Sequence, residues 1–250
     1  LIAERLSRRL PLTSREADFL LRLESATCIV RRHQLIGREG EPASFGYVLQ
    51  SGWVATYTDL PDGSRQMRRV HLPGDIVAMP SLALHQHAEN IFALTDVAVA
   101  RFPKRAMKEM FEELPRLATI MFIISQMERI TLGDRLSCIG GMQSEARLAF
   151  LILDLLYRLR LVDPSVMSSF AMHLTREEMA NFAGMTPVHA SRKWSQLQRS
   201  GLIASDGERV TVLDEEGLLA LSGYINRAAD IDFSWLPAVS DSRAVEQGAV

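Results

Sequence analysis

The stretch Thr175–Gly201, TREEMANFAGMTPVHASRKWSQLQRSG, constrains this chain more than any other. Thr175 stands three residues before Glu178, a capping box that opens a short helix. That helix runs out at Ala183-Gly184, where glycine allows the positive φ of a tight turn. A second start follows at once, with Thr186 as N-cap and Pro187 at the first helical position. The second helix reads on to Ser200 and stops at Gly201. Two helices joined by a short turn containing glycine make a helix-turn-helix.

Helical spacing sorts the second helix into faces. Ala190, Trp194 and Leu197 recur at i, i+4, i+7 and are expected to pack inward. Val188, His189, Ser191, Arg192 and Lys193 lie toward the N-terminal end and mostly outside that stripe. The formal charges between His189 and Arg199 are Arg192, Lys193 and Arg199, with no acid among them. A helix N-terminus of this kind is what enters a DNA major groove. A solvated helical hairpin is the bland alternative, and the β-hairpin that follows favours DNA.

The net charge of −2 over 250 residues gives no global push toward nucleic acid, so any DNA-binding charge must be local. No apolar run approaches the ~20 residues that cross a bilayer, and no secretory hydrophobic region is found at the start. The expectation is a cytoplasmic protein without membrane association. Cys28 and Cys138 are far apart and form no metal-ligand spacing.

Along the chain, a capping box at Thr13 and Glu16 opens a helix through about Leu23. From Thr27 to Phe102 short alternating runs are broken by turns such as Pro61-Asp62-Gly63 and Pro73-Gly74-Asp75, the texture of a small antiparallel barrel or jelly roll. The run Ile76–Met79 reads as one of these strands. After Phe102 the period becomes helical. A long helix from Pro115 to about Ser137 carries Ile120, Ile124, Met127 and Ile130 at roughly coiled-coil spacing, a candidate dimer seam. Gly140-Gly141 is expected to break it as a hinge. Ser144–Arg160 reads as another helix, and Leu202–Leu213 as a wing hairpin. The expected organisation is α+β: a sensor roll over 1–114, a dimerisation helix and hinge over 115–141, a winged helix-turn-helix over 142–225, and a loosely ordered tail over 226–250 with Trp235 as its one candidate anchor.

This order of parts resembles the catabolite-activator and fumarate–nitrate-reduction regulator (Crp–Fnr) superfamily. The residues that carry the resemblance are Arg38-Glu39-Gly40-Glu41-Pro42, Leu49-x-Ser51-Gly52-x-Val54, Asp62-Gly63, Pro73-Gly74-Asp75, Leu174-Thr175-Arg176-Glu177-Glu178, Ser191-Arg192 and Gly201-Leu202-Ile203. The resemblance implies a homodimeric transcription regulator, not an enzyme, with a cyclic-nucleotide-binding-domain-like roll. Its implied partners are a palindromic double-stranded DNA operator and RNA polymerase.

Family ligand sets do not carry over. Where the nucleotide-binding branch has Gly-Glu and then Arg-Ser, this chain has Ala78-Met79 and His87-Ala88, so the expectation is no gating by cyclic AMP. Two cysteines do not supply the ligand set of the iron–sulfur branch. A haem needs only one or two axial ligands, and nothing here selects a pair. The chain is therefore read as FixK-like, with no cofactor assigned. The alternative is gating by an unidentified small molecule or haem in the roll, around Met79, Leu82, Leu84 and His87. A cupin-like metal protein built on His85-x-His87-x-Glu89 ranks below both, and no metal site is assigned. On the DNA side the resemblance puts Arg192 at the base- or phosphate-contacting position. Val188 replaces a glutamate and suits a thymine methyl, and His189 is a candidate donor to a base or phosphate. Thr186 and Ser191 are candidate phosphate contacts, Lys193 is a source of salt-dependent affinity, and Thr175 and Pro187 complete the candidate DNA-binding set.

Overall fold

Alternating residues from Thr27 onward pair into two four-stranded antiparallel sheets that face each other. A computed structural model describes residues 1–237 and 239. One sheet joins β1 (Thr27–Val30), β8 (Val97–Pro103), β3 (Phe45–Ser51) and β6 (Ile76–Val77), in that order. The other joins β2 (Leu35–Gly37), β7 (Asn90–Ala93), β4 (Val54–Asp59) and β5 (Arg65–His71). Leu49, Val54, Val77, Ile91 and Val99 fill the space between them. The Ser51-Gly52 turn is a glycine requirement: φ is +77°, and a Cβ there would lie 2.3 Å from the Asp96 carbonyl oxygen.

Helices close the roll. α1 (Ile2–Ser7) and α2 (Ser14–Leu23) precede it, and Thr13 and Glu16 form the expected capping box. The run read as a strand through Met79 ends at Val77. Ala78 turns into the left-handed region at φ 67°, and Met79 begins α3 (Met79–Leu82). After α4 (Arg105–Glu113), α5 runs unbroken from Pro115 to Gly141. The glycine pair therefore does not break the helix. Neither residue takes a positive φ, and both are exposed, so each costs only the ~1 kcal/mol of a helical glycine. The chain turns at Met142-Gln143 instead.

α6 (Ser144–Val162), β9 (Ser169–Ala171), α7 (Arg176–Ala183), α8 (Pro187–Arg199), β10 (Ile203–Asp206), β11 (Arg209–Val212) and α9 (Glu215–Ser222) complete a winged helix-turn-helix, its wing a three-stranded sheet. This part is packed onto the roll. Trp53, Met67, Val70 and Leu72 share one buried cluster with Leu148, Ile152 and Phe182. Arg135 of α5 donates to the carbonyls of Met67, Arg68 and Phe182, stitching the roll to α7. Arg158 of α6 donates to Val70 O and Asp75 Oδ2, each at 2.7 Å, and to Asp154 Oδ2 at 3.1 Å. Burial opposes charge on Asp75, yet the Arg158 and Arg5 guanidiniums outweigh it and hold the carboxyl far below the usual range.

In the described part of the tail, a turn at Arg227–Asp230 is tied to Asp134 through Arg227, and Phe233 and Leu236 pack on the core around α1. Trp235 is 55% exposed and does not anchor it. Residue 238 and residues 240–250, part of the segment expected to be loosely ordered, lie outside the described residues.

His71 lies beside Arg69, Asp75 and Arg158 with both ring nitrogens lacking a protein partner. Burial, reinforced by Arg69, pushes its pKa down to about 3. Between that value and the ordinary 6.5 the unfolded chain binds a proton that the folded one refuses, so this contribution to stability falls as pH falls through that window. From pH 6.5 to 5 the loss is roughly 1.5 kcal/mol. His71→Leu is expected to leave stability at pH 7 nearly unchanged and to remove that part of the slope in urea titrations. An unchanged slope would contradict it.

Candidate nucleic-acid interface

The helix-turn-helix is held by contacts on both sides of its turn. Thr175 caps α7, its Oγ1 accepting from Glu178 N at 3.2 Å, and Glu178 returns the bond to Thr175 N. Gly184 takes φ 63°, ψ 51°, the left-handed cap expected there. Thr186 caps α8 by accepting from His189 N at 3.3 Å, which leaves its hydroxyl proton free to donate outward. Arg147 of α6 donates to Met142 O at 3.0 Å and lies 3.3 Å from Gly184 O, bracing the turn from behind.

The inward stripe is as expected, with Ala190, Trp194 and Leu197 all buried. Trp194 Nε1 donates to Ser205 Oγ at 3.3 Å, tying α8 to the wing, and the Arg176 guanidinium sits 4.1 Å from the Trp194 ring centroid. Burial lowers the Arg176 pKa, a cation spent on stacking. Sequence reasoning missed Arg147, which belongs to no periodic or capping pattern, and named Arg176 only within a motif, without its stacking on Trp194.

The outward face gathers Thr186, Pro187, Val188, Ser191 and Arg192, all exposed, with half-buried His189 between them. Val188 is 81% exposed, which no packing role in this chain explains. Arg192 has no carboxylate partner among the described residues. Its Nη2 lies 3.0 Å from His189 Nδ1. A guanidinium can only donate, so this contact makes Nδ1 the acceptor and leaves Nε2–H facing away as a donor. Lys193 departs from expectation. Its ammonium donates to Glu145 Oε1 at 2.6 Å and Gln196 Oε1 at 3.2 Å, so its charge is already matched. Thr175 is exposed and, like Thr186, only accepts at its cap, so its hydroxyl proton is also free to donate.

Met79 and Leu82 of the expected effector set pack on one cluster, but the four residues do not line one cavity. Met79 lines a cavity outside the roll, Leu82 packs on the α1–α2 core, and Leu84 is exposed. His87 is buried against Gly37, where a Cβ would lie 3.0 Å from its Nε2. The clamp position thus holds a packed imidazole, and the residues present do not fit a cyclic phosphate. His85 is exposed while His87 is not, and no three candidate ligands converge on a metal position among the described residues.

The four α5 residues expected at a seam do not share one exposed face of the protomer. Ile120 is fully buried in the protomer's own core, and Ile124 and Met127 line the same cavity as Met79. Only Ile130 is exposed. The outward stripe instead runs through Phe122, Arg129 and Leu136 at seven-residue spacing, with Leu132 beside it. Among the described residues, no helix is long and apolar enough to cross a membrane.

A winged helix-turn-helix with a free, basic recognition helix, attached to an antiparallel roll, defines a DNA-binding regulator with a sensor fold. Residues 146–221 match the Crp-like helix-turn-helix domain and residues 28–114 the cyclic nucleotide-binding domain. The transcriptional regulatory protein btr of Bordetella pertussis is 30% identical over 78% of this chain and 80% of its own length. An anaerobic regulatory protein of Haemophilus influenzae is 26% identical over 85% of this chain and 82% of its own. The structure of FixK2 from Bradyrhizobium japonicum shares the fold, with a TM-score of 0.72 at 24% identity over 80% of this chain and 98% of that one. This chain belongs to the Crp/Fnr family of DNA-binding transcription regulators.

Proposed function

We propose that the protein acts in the cytoplasm as a homodimer that places α8 of each protomer in the major groove of a palindromic operator and acts on transcription through RNA polymerase. The observation that carries this reading is the exposed N-terminal face of α8, where Val188 and Arg192 stand clear of both roll and wing. Arg192 suits a guanine edge or a phosphate, Val188 a thymine methyl, and Thr186 and Ser191 phosphate oxygens. His189 contributes by orienting Arg192 and by its outward Nε2–H. Lys193 contributes only if DNA displaces Glu145.

Dimerisation is assigned to the outward α5 stripe, where Leu136 is 73% exposed, Phe122 55% and Leu132 45%. Phe122 and Leu136, two heptads apart on one face with Leu132 beside it and Arg129 between them, suit a two-helix seam. Cyclic AMP is not the signal, since Ala78, His87 and Ala88 offer neither carboxylate nor guanidinium. Leu136→Arg is expected to convert dimer to monomer in sedimentation equilibrium. Operator affinity then falls by about a hundredfold or more, because the second half-site is no longer intramolecular. A variant that stays dimeric would remove the stripe from the seam, and a monomer with full affinity would contradict the two-site reading.

A further inference from the structure

A cavity of about 360 Å³ lies outside the roll, between α1, the Gly74–Met79 segment, α5, α6 and the chain after α9. That volume falls in the range of about 300–1,000 Å³ typical of small-molecule sites. Its body is apolar and aromatic, with Leu6, Met121, Ile124 and Phe233 contributed by the core around α1 and α5, and Tyr157 and Tyr224 by the core around α6. Tyr224 stacks on Tyr157 with centroids 5.5 Å apart, giving that side a rigid flat wall. Neither His87 nor Ala88 lines it, so it is separate from the position of the family's phosphate clamp.

The charges around the cavity are uneven. Every other arginine on the wall has a carboxylate at 2.7–3.3 Å. Arg9 is the exception among the described residues. It donates to the Ala228 carbonyl, and its guanidinium lies 5.8 Å from the Phe233 ring centroid. Arg9 is exposed at the edge of the cavity; partial burial, then the neighbouring Arg5, lowers its pKa, and no carboxylate among the described residues matches its charge. An anion at Arg9 would gain a charge-assisted hydrogen bond while its apolar body left water.

We propose that this cavity binds an amphipathic organic monoanion, an alkyl or aryl carboxylate whose head pairs with Arg9 and whose body lies between α5 and the Tyr157–Tyr224 wall. The roll, α5, α6 and the segment after α9 all contribute to the cavity. A ligand there binds the docked arrangement and not an undocked one, and shifts the population toward it.

Calorimetry on the full chain with decanoate and phenylbutyrate tests this, with decanol and decylammonium as controls. The expected result is saturable binding of at least one carboxylate, one per protomer, with both controls at least about tenfold weaker, matching one charge-assisted contact. Arg9→Gln is expected to weaken the carboxylate about tenfold without changing the melting temperature by more than a degree or so. Ile124→Trp, which fills the cavity, is expected to abolish binding. Absence of saturable binding by either carboxylate overturns the proposal, as does binding that survives Ile124→Trp or is indifferent to Arg9→Gln. The readout does not involve DNA, so its failure is distinct from failure of the DNA-binding reading.

Discussion

Arg192→Ala is expected to bring operator binding down toward the non-specific level while leaving fold and dimer intact. The side chain is exposed, buries no core and, among the described residues, has His189 Nδ1 as its one neighbour within hydrogen-bond distance. Its loss therefore costs almost nothing in stability. A bidentate arginine–guanine contact carries about 1–3 kcal/mol of discrimination per half-site. Two half-sites in one dimer double it, so the expected loss for the palindrome is roughly 2–6 kcal/mol, about 30-fold to above 10⁴-fold. Binding to unrelated duplexes should weaken much less, and equally for all sequences. Gel shifts against operator and scrambled duplex at one salt concentration separate the two. A uniform loss on both duplexes would make Arg192 a phosphate contact only.

Arg158→Met is expected to be the most destabilising single change of charge. The guanidinium is buried with Asp75 and Asp154, and it also satisfies the Val70 carbonyl. Burial works against its charge, but those two carboxylates keep it protonated well above the usual arginine range. Removing it leaves Asp154 and the Val70 carbonyl without this donor and Asp75 dependent on Arg5. Breaking a buried pair in this way costs about 3–5 kcal/mol, or roughly 10 °C in melting temperature for a chain of this size. Because Arg158 joins α6 to the roll, the connection at Met142-Gln143 should also become a preferred site of limited proteolysis. A loss below about 1 kcal/mol would mean that the shared core around Trp53 and Leu148, not this clasp, holds the two parts together.

Features written in local chemistry were legible from the sequence. Both capping boxes, the Gly184 cap, Pro187 at the head of α8 and the buried Ala190–Trp194–Leu197 stripe each depend on a few neighbouring residues. The alternating strands and the Ser51-Gly52 turn were legible for the same reason. Features that depend on which side of an element meets which neighbour were not. α5 is apolar around most of its circumference over Leu117–Ile124, so period alone did not choose among its faces, and the outward one proved to be that of Phe122 and Leu136. Gly140-Gly141 looked like a break, but an exposed helix end tolerates glycine. Lys193 looked free because Glu145 lies 48 residues away in sequence. The docking of the winged helix on the roll, and the cavity it creates, depend on Arg135, Arg158 and Trp53, whose partners are likewise remote.

In the proposed complex two copies of α8 read two half-sites. Selection of binding sites from random duplexes with the purified full chain tests it most directly. The predicted result is enrichment of a two-fold symmetric sequence whose half-site centres are about one helical turn, ~34 Å, apart, with a conserved guanine position that disappears when Arg192→Ala is used in the selection. Enrichment of a single asymmetric site, or of no sequence at all, would contradict it.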